Sequence, residues 1–184
     1  MGDPTAQTAS SGQELEHLMR RYQQSDNEAA SQLIDRVSPQ VFRFLLAQVR
    51  DRSRAEDLLQ DFWLRVHNAR HTYRLGEPVL PWIYSIARRT RIDEYRRRSR
   101  IARHEVPSER LPETAAQMEQ STTHGLADLL LLLPATQRET VLLLKVAGLT
   151  LEEAARATGT SVGAVKQKAH RAYATLRKLL GGDA

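Results

Sequence analysis

Apolar residues along this chain recur in steps of three and four and almost nowhere in alternation, the signature of helices rather than strands. Leu33, Val37, Val41, Phe44, Leu45 and Val49 predict a helix from about Asn27 to Arg50, which Pro39 should kink or split. A shorter pattern predicts one before it, from about Gln13 to Gln23. Leu58, Phe62 and Val66, flanked by Leu59 and Trp63, predict another from about Ser53 to Ala69, with Ser53 and Glu56 spaced as a capping box. After the loop sequence HTYRLGEP a fourth helix should follow Pro78 or Pro81, with Ile83, Ile86, Ala87 and Thr90 on its inner face. Gly76 is the only glycine between Gly12 and Gly125, and valine and isoleucine are scattered, which argues against a sheet.

The pattern breaks at His104. From there to Gly125 the chain holds two prolines, many Ser, Thr, Gln and Glu residues and few large apolar ones, and reads as a linker. Residues 1–12 are small and polar and read as a disordered tail. The fold class expected is therefore all-α, with two small helical domains, 13–103 and 126–184, joined by a flexible linker over 104–125.

The second domain carries a more particular pattern. Thr150 and Glu153 form a capping box that opens a short helix, Leu151 to Thr158. Gly159 suits a left-handed turn, and Ser161 caps a longer helix. In that helix Val162, Val165, Ala169, Ala172 and Leu176 form one apolar stripe, while Gly163, Lys166, Gln167, His170 and Arg171 share the opposite face. A helix over Ala135 to Val146 supplies the third wall of a small core. Short helix, glycine turn and second helix with a polar, basic face match a helix-turn-helix, whose second helix would enter the DNA major groove, better than an ordinary helical hairpin with a solvated basic face. Lys166, Gln167 and Arg171 are donors suited to base edges and phosphates.

Charge extends that reading to the first domain. The chain of 184 residues has a net charge of +5, and a basic balance fits a nucleic-acid partner. Arg88 to Arg103 holds eight arginines against Asp93 and Glu94. Tyr84, Arg88, Arg91 and Tyr95 fall at i, i+4, i+7 and i+11, so two arginines lie between two rings along one stripe, which suits a nucleic acid strand better than it suits a merely solvated helix end. The third predicted helix differs. Asp57, Gln60, Asp61 and Arg65 point outward from it, a partly acidic face unsuited to DNA that is either a protein-docking face or a solvated one.

Other chemistry is thinly represented. Without cysteine, disulfides, thiol catalysis and cysteine-bound zinc are excluded. His67 and His71 stand at i, i+4, but no HExxH motif or third ligand accompanies them, and no Walker loop or GxGxxG occurs. No catalytic residue, metal, cofactor or small-molecule substrate is expected. The N-terminus lacks the apolar core of a signal peptide, and the longest apolar run, Leu129 to Leu133, is too short to span a bilayer, so a cytoplasmic location is expected.

Three segments in order, AEDLLQDFWLRV, PWIYSIARRTRIDEYRRRSR and LPATQRETVLLLKVAGLTLEEAARATGTSVGAVKQKAHRAYATLRKLL, resemble bacterial extracytoplasmic-function (ECF) sigma factors of the sigma-70 family. The resemblance runs from about residue 18 to 180. It implies a region-two domain, a linker threading toward the polymerase active-site and RNA-exit channels, and a region-four helix-turn-helix domain. It also implies core RNA polymerase as a partner, through the beta-prime clamp helices and the beta flap, together with promoter DNA. Carried over by position, Asp57, Gln60 and Asp61 fall on the clamp-helix face. Tyr84, Arg88, Arg89, Arg91, Tyr95 and Arg98 fall on the helix that binds and opens the minus-ten element. Lys166, Gln167, His170 and Arg171 fall on the minus-thirty-five reading helix. Where the family commonly has asparagine after IAR, this chain has Arg89, which donates hydrogen bonds but cannot accept them, and that bears on minus-ten base choice. The resemblance further implies an anti-sigma factor, frequently a membrane protein. No long C-terminal extension follows, so no added regulatory domain is expected. A simple repressor would account for the helix-turn-helix, but not for the outward face of the third helix or the aromatic-arginine stripe.

Overall fold

The computed structural model describes residues 4–104 and 124–180. Eight α-helices and one short 3-10 turn occur among them, with no strand: α1 (Pro4–Gln23), α2 (Asn27–Val49), α3 (Arg52–Ala69), the turn Arg70–Thr72, α4 (Val79–His104), α5 (His124–Leu131), α6 (Ala135–Lys145), α7 (Leu151–Thr158) and α8 (Val162–Leu179). The all-α expectation holds. The linker expected over 104–125 falls on residues that lie, apart from its two ends, outside the described ones.

Three local features bear on those expectations, and the last corrects one. Helix α1 begins at Pro4, inside the segment expected as a disordered tail. Proline is tolerated in a first turn, where its missing N–H would have no helical partner, and Ala6 and Gln7 are good helix formers. Pro39 sits inside a continuous α2 and does not split it. The cap of α3 is Asp51, whose carboxylate accepts from the Arg54 N–H at 3.1 Å, so Ser53 lies within the first turn. Aspartate is as good a cap as serine, and it stands immediately before the helix.

Helices α1 to α4 pack around Met19, Leu33, Val41, Phe44, Phe62 and Ile83, all buried. The Trp63 indole N–H donates to Ser38 Oγ at 2.9 Å and ties α3 to α2. Helices α6 to α8 enclose Leu142, Leu143, Ala154, Val165 and Ala172. The helix-turn-helix forms as expected. Thr150 and Glu153 make both bonds of the capping box, Gly159 takes φ 65°, and the Ser161 hydroxyl accepts from the Ala164 N–H.

The two halves do not stand apart. Helix α7 lies along α4, α6 touches α2, and the buried apolar cluster runs without a break from Leu15 to Leu176. Three sets of ion pairs cross the junction. Arg50 meets Asp128 at 2.6 Å, Arg156 meets Glu77 at 2.9 Å, and Arg88 and Arg91 both converge on Glu139.

Candidate nucleic-acid interface

Helix α8 presents two faces. Val165, Ala169, Ala172 and Leu176 are buried, and Lys166, Gln167, His170 and Arg171 are all exposed on the other side. All four predicted reading residues therefore share one open surface. Gly163 begins that surface, at i−3 and i−4 from Lys166 and Gln167, and an added Cβ there would meet only Ser161 Oγ, at 3.9 Å.

Helix α4 is both core and cation, but mainly along its length. Its first half buries Val79, Ile83, Tyr84, Ile86, Ala87 and Thr90, and from Asp93 onward it projects with most side chains in solvent. The straight stripe from Tyr84 to Tyr95 therefore runs from interior to exterior. Tyr84 is fully buried, its ring edge-on to Phe44 at 5.2 Å, so it is not placed to stack on a base, and that expectation is corrected. Burial pushes its phenol above the ordinary tyrosine range, and its hydroxyl has no hydrogen-bond partner. Tyr95 is 65% exposed and is available to a base. Arg89 and Arg98 are exposed, with Arg98 3.6 Å from Glu94. Arg88 and Arg91 are not free. Arg88 Nε donates to Glu139 Oε2 at 3.0 Å, and Arg91 Nη2 lies 3.7 Å from Glu139 Oε1.

On α3, Asp57 and Gln60 are exposed, and Asp61 is half-buried. Arg65 clasps Asp61 from α3 and Asp93 from α4, at 3.1 and 2.6 Å. Its hydrogen bond to Asp93, with that to Asp61, raises its pKa further against the effect of burial. Asp57 and Asp61 line an open groove between α3 and α4 with Arg97, Arg98 and Arg100 opposite. His67 is engaged with Tyr22, whose hydroxyl lies 2.9 Å from Nδ1, and no group of three metal-ligating side chains occurs among the described residues.

Sequence reasoning missed Glu139. The signal was present: a carboxylate at i−3, i−4 and i−7 from Leu142, Leu143 and Val146, on the apolar side of a helix, needs a cationic partner. It also missed the crossing pairs of Arg50 and Arg156. Those join residues 78 and 79 positions apart, a separation that spacing along a helix cannot reveal.

A helix-turn-helix preceded by a helical domain that projects an exposed, arginine-rich helix is the plan of a sigma-type initiation factor, and the family comparisons agree. The model described as Sigma-70 region 2 matches residues 33–101, and that described as Sigma-70, region 4 matches residues 124–176. CarQ, an RNA polymerase sigma factor of Myxococcus xanthus, is 35% identical over 166 residues, covering 89% of this chain and 95% of its own. SigD, an ECF RNA polymerase sigma factor of Mycobacterium tuberculosis, is 31% identical over 179 residues, covering 90% of this chain and 84% of its own. Among solved structures, the sigma factor RpoE in complex with the anti-sigma factor NepR from Bartonella quintana superposes with a TM-score of 0.70 at 26% identity, over 84% of this chain and 98% of that one. The chain belongs to the ECF RNA polymerase sigma factors of the sigma-70 family. It is thus a transcription initiation factor, of a generally non-catalytic class, that works with core RNA polymerase at promoter DNA. No helix among the described residues is long and apolar enough to cross a membrane.

Proposed function

We propose a division of labour within this sigma factor. The exposed face of α3, with Asp57, Gln60 and Asp61, docks on the beta-prime clamp helices of core polymerase. Arg88, Arg89, Arg91, Tyr95 and Arg98 of α4 hold and open the minus-ten element, the arginines on phosphates and Tyr95 on a base. Lys166, Gln167, His170 and Arg171 of α8 read the minus-thirty-five element in the major groove. The observation that carries this reading is the clean separation on α8, where every apolar stripe residue after Val162 is buried and every polar candidate is exposed. The protein acts in the cytoplasm, catalyses no reaction itself, and is held inactive by an anti-sigma factor. The likeness of its two-domain arrangement to an anti-sigma-bound relative supports the last point.

Run-off transcription with purified core polymerase on genomic fragments tests the whole. Discrete start sites that depend on the chain are expected. Core enzyme whose start sites are the same with and without the chain would refute it.

A further inference from the structure

Glu139 is a carboxylate set among apolar neighbours at the junction of the two domains, with a side chain only 6% exposed. Its two cationic partners both come from the other domain, and both are arginines assigned above to DNA phosphates. A carboxylate and a phosphate offer a guanidinium the same thing: anionic oxygens in a plane that its N–H groups can meet. We propose that Glu139 is an intramolecular stand-in for promoter phosphate, which holds the region-four domain shut over α4 so that the free chain is autoinhibited and must open before DNA reaches Arg88 and Arg91. This rests on the assignment of those two arginines to DNA.

The junction is built to close and also to let go. Arg50–Asp128 and Arg156–Glu77 flank the central contact and are largely exposed, so each contributes little and is weakened by salt. The central contact is incomplete. Glu139 Oε1 and Arg91 Nε are buried without a hydrogen bond. Unsatisfied buried groups disfavour the state that buries them. Like charge adds to this. Arg138, beside Glu139, has its pKa lowered by burial and by the nearby Arg91 and Arg50 across the junction. A buried ion pair that is only partly satisfied is weakly stabilising while intact, yet removing one partner is costly for the closed form. The result is a closed state that a competing polyanion can displace. Nucleic acid would satisfy Arg88 and Arg91 and leave Glu139 free to reach water.

The full chain without a native cysteine allows a direct test. Ser31→Cys and Lys178→Cys, both at exposed positions on different domains, carry a fluorescence donor and acceptor. Glu139→Ala should lower energy transfer. It should also tighten binding to a labelled single-stranded DNA of mixed sequence by about tenfold or more, because affinity scales with the open fraction and a closed state populated above roughly nine-tenths hides that much. Glu139→Arg should open the chain further, and adding Arg88→Glu to it should restore transfer. The charge swap decides the matter even if Glu139→Ala loses helical content. Unchanged transfer in Glu139→Ala and no recovery in the swap would overturn the latch. Lower transfer with unchanged DNA affinity would overturn the inhibition. The assignment of the arginines is tested separately, by adding Arg88→Ala and Arg91→Ala to the open variant. If the gained affinity survives both, those residues do not bind DNA, and the occlusion argument falls with them even if the latch opens as expected.

Discussion

Replacing Gly163 with alanine should stabilise the protein and impair initiation, a trade of activity for stability at a functional surface. Gly163 is the second residue of α8 and helical, so it carries the entropic cost of glycine in a helix without using glycine's freedom. A Cβ at this position meets nothing closer than Ser161 Oγ at 3.9 Å, so no clash offsets the gain. The expected stabilisation is about 0.5–1 kcal/mol, toward the lower end because the residue lies in the first turn. For a chain of this size that raises the melting midpoint by about 1–4 °C. Gly159 is the control. It also faces open space, but its φ of 65° is left-handed, so alanine there should cost about 1–2 kcal/mol. The functional expectation comes from the face on which Gly163 lies. It precedes Lys166 and Gln167 by three and four residues, on the side proposed to meet DNA, where a methyl group would hold the helix away from the groove. Thermal melts of the full chain and run-off transcription on a promoter with an intact upstream element give the two readouts. If Gly163→Ala is destabilised, the surroundings of α8 are more crowded than described. If it is stabilised and fully active, the N-terminal end of α8 does not approach DNA closely, and Lys166 and Gln167 lose their assignment.

Further outcomes concern the remaining surfaces. Asp61→Arg combined with Gln60→Ala should abolish binding to core polymerase while leaving far-UV circular dichroism unchanged, since the Asp61–Arg65 pair is partly exposed and worth at most about 1 kcal/mol; parallel loss of binding and helix would discredit the docking face. Gln167→Ala should cost about 1–3 kcal/mol at one upstream position and gain nothing from a pre-melted promoter, whereas Tyr95→Ala should be rescued by pre-melting; identical responses in open-complex assays would remove the division between the domains. Tyr73 is pushed up to about 12 by burial, with Glu16 and Glu77 adding to the shift, and Tyr84 moves the same way. The folded chain therefore keeps protons that the unfolded chain releases above about pH 10, so stability should be full below that pH and fall as pH rises toward about 12. Urea melts across that window check this, and a flat response would contradict the burial of both phenols.

Helix positions were largely legible because the helices carry apolar stripes, and four of them side-chain N-caps, in their own sequence. The capping box at Thr150 and the left-handed turn at Gly159 are local chemistry and need no partner to be recognised. Tyr84 was misjudged for a different reason. Helical spacing gives the side of the helix on which a residue lies, but not how far along its length the helix stays inside the core. Pro39 does not split α2 because proline's penalty is local and the packing of Val37, Val41 and Phe44 on both sides of it is not. Glu139 and its arginines were out of reach of periodicity, because their meeting depends on how one domain lies on the other.

Arg65 has a consequence for genetics. It holds Asp61 on α3, proposed to dock on polymerase, and Asp93 on α4, proposed to meet the promoter, with a single guanidinium. A partner that takes Asp61 for itself leaves that guanidinium to Asp93 alone, so α4 registers what happens on α3. Substitutions at Arg65 should then be pleiotropic, showing polymerase and promoter defects together. Selections for suppressors of a lesion on either helix should return to this one codon.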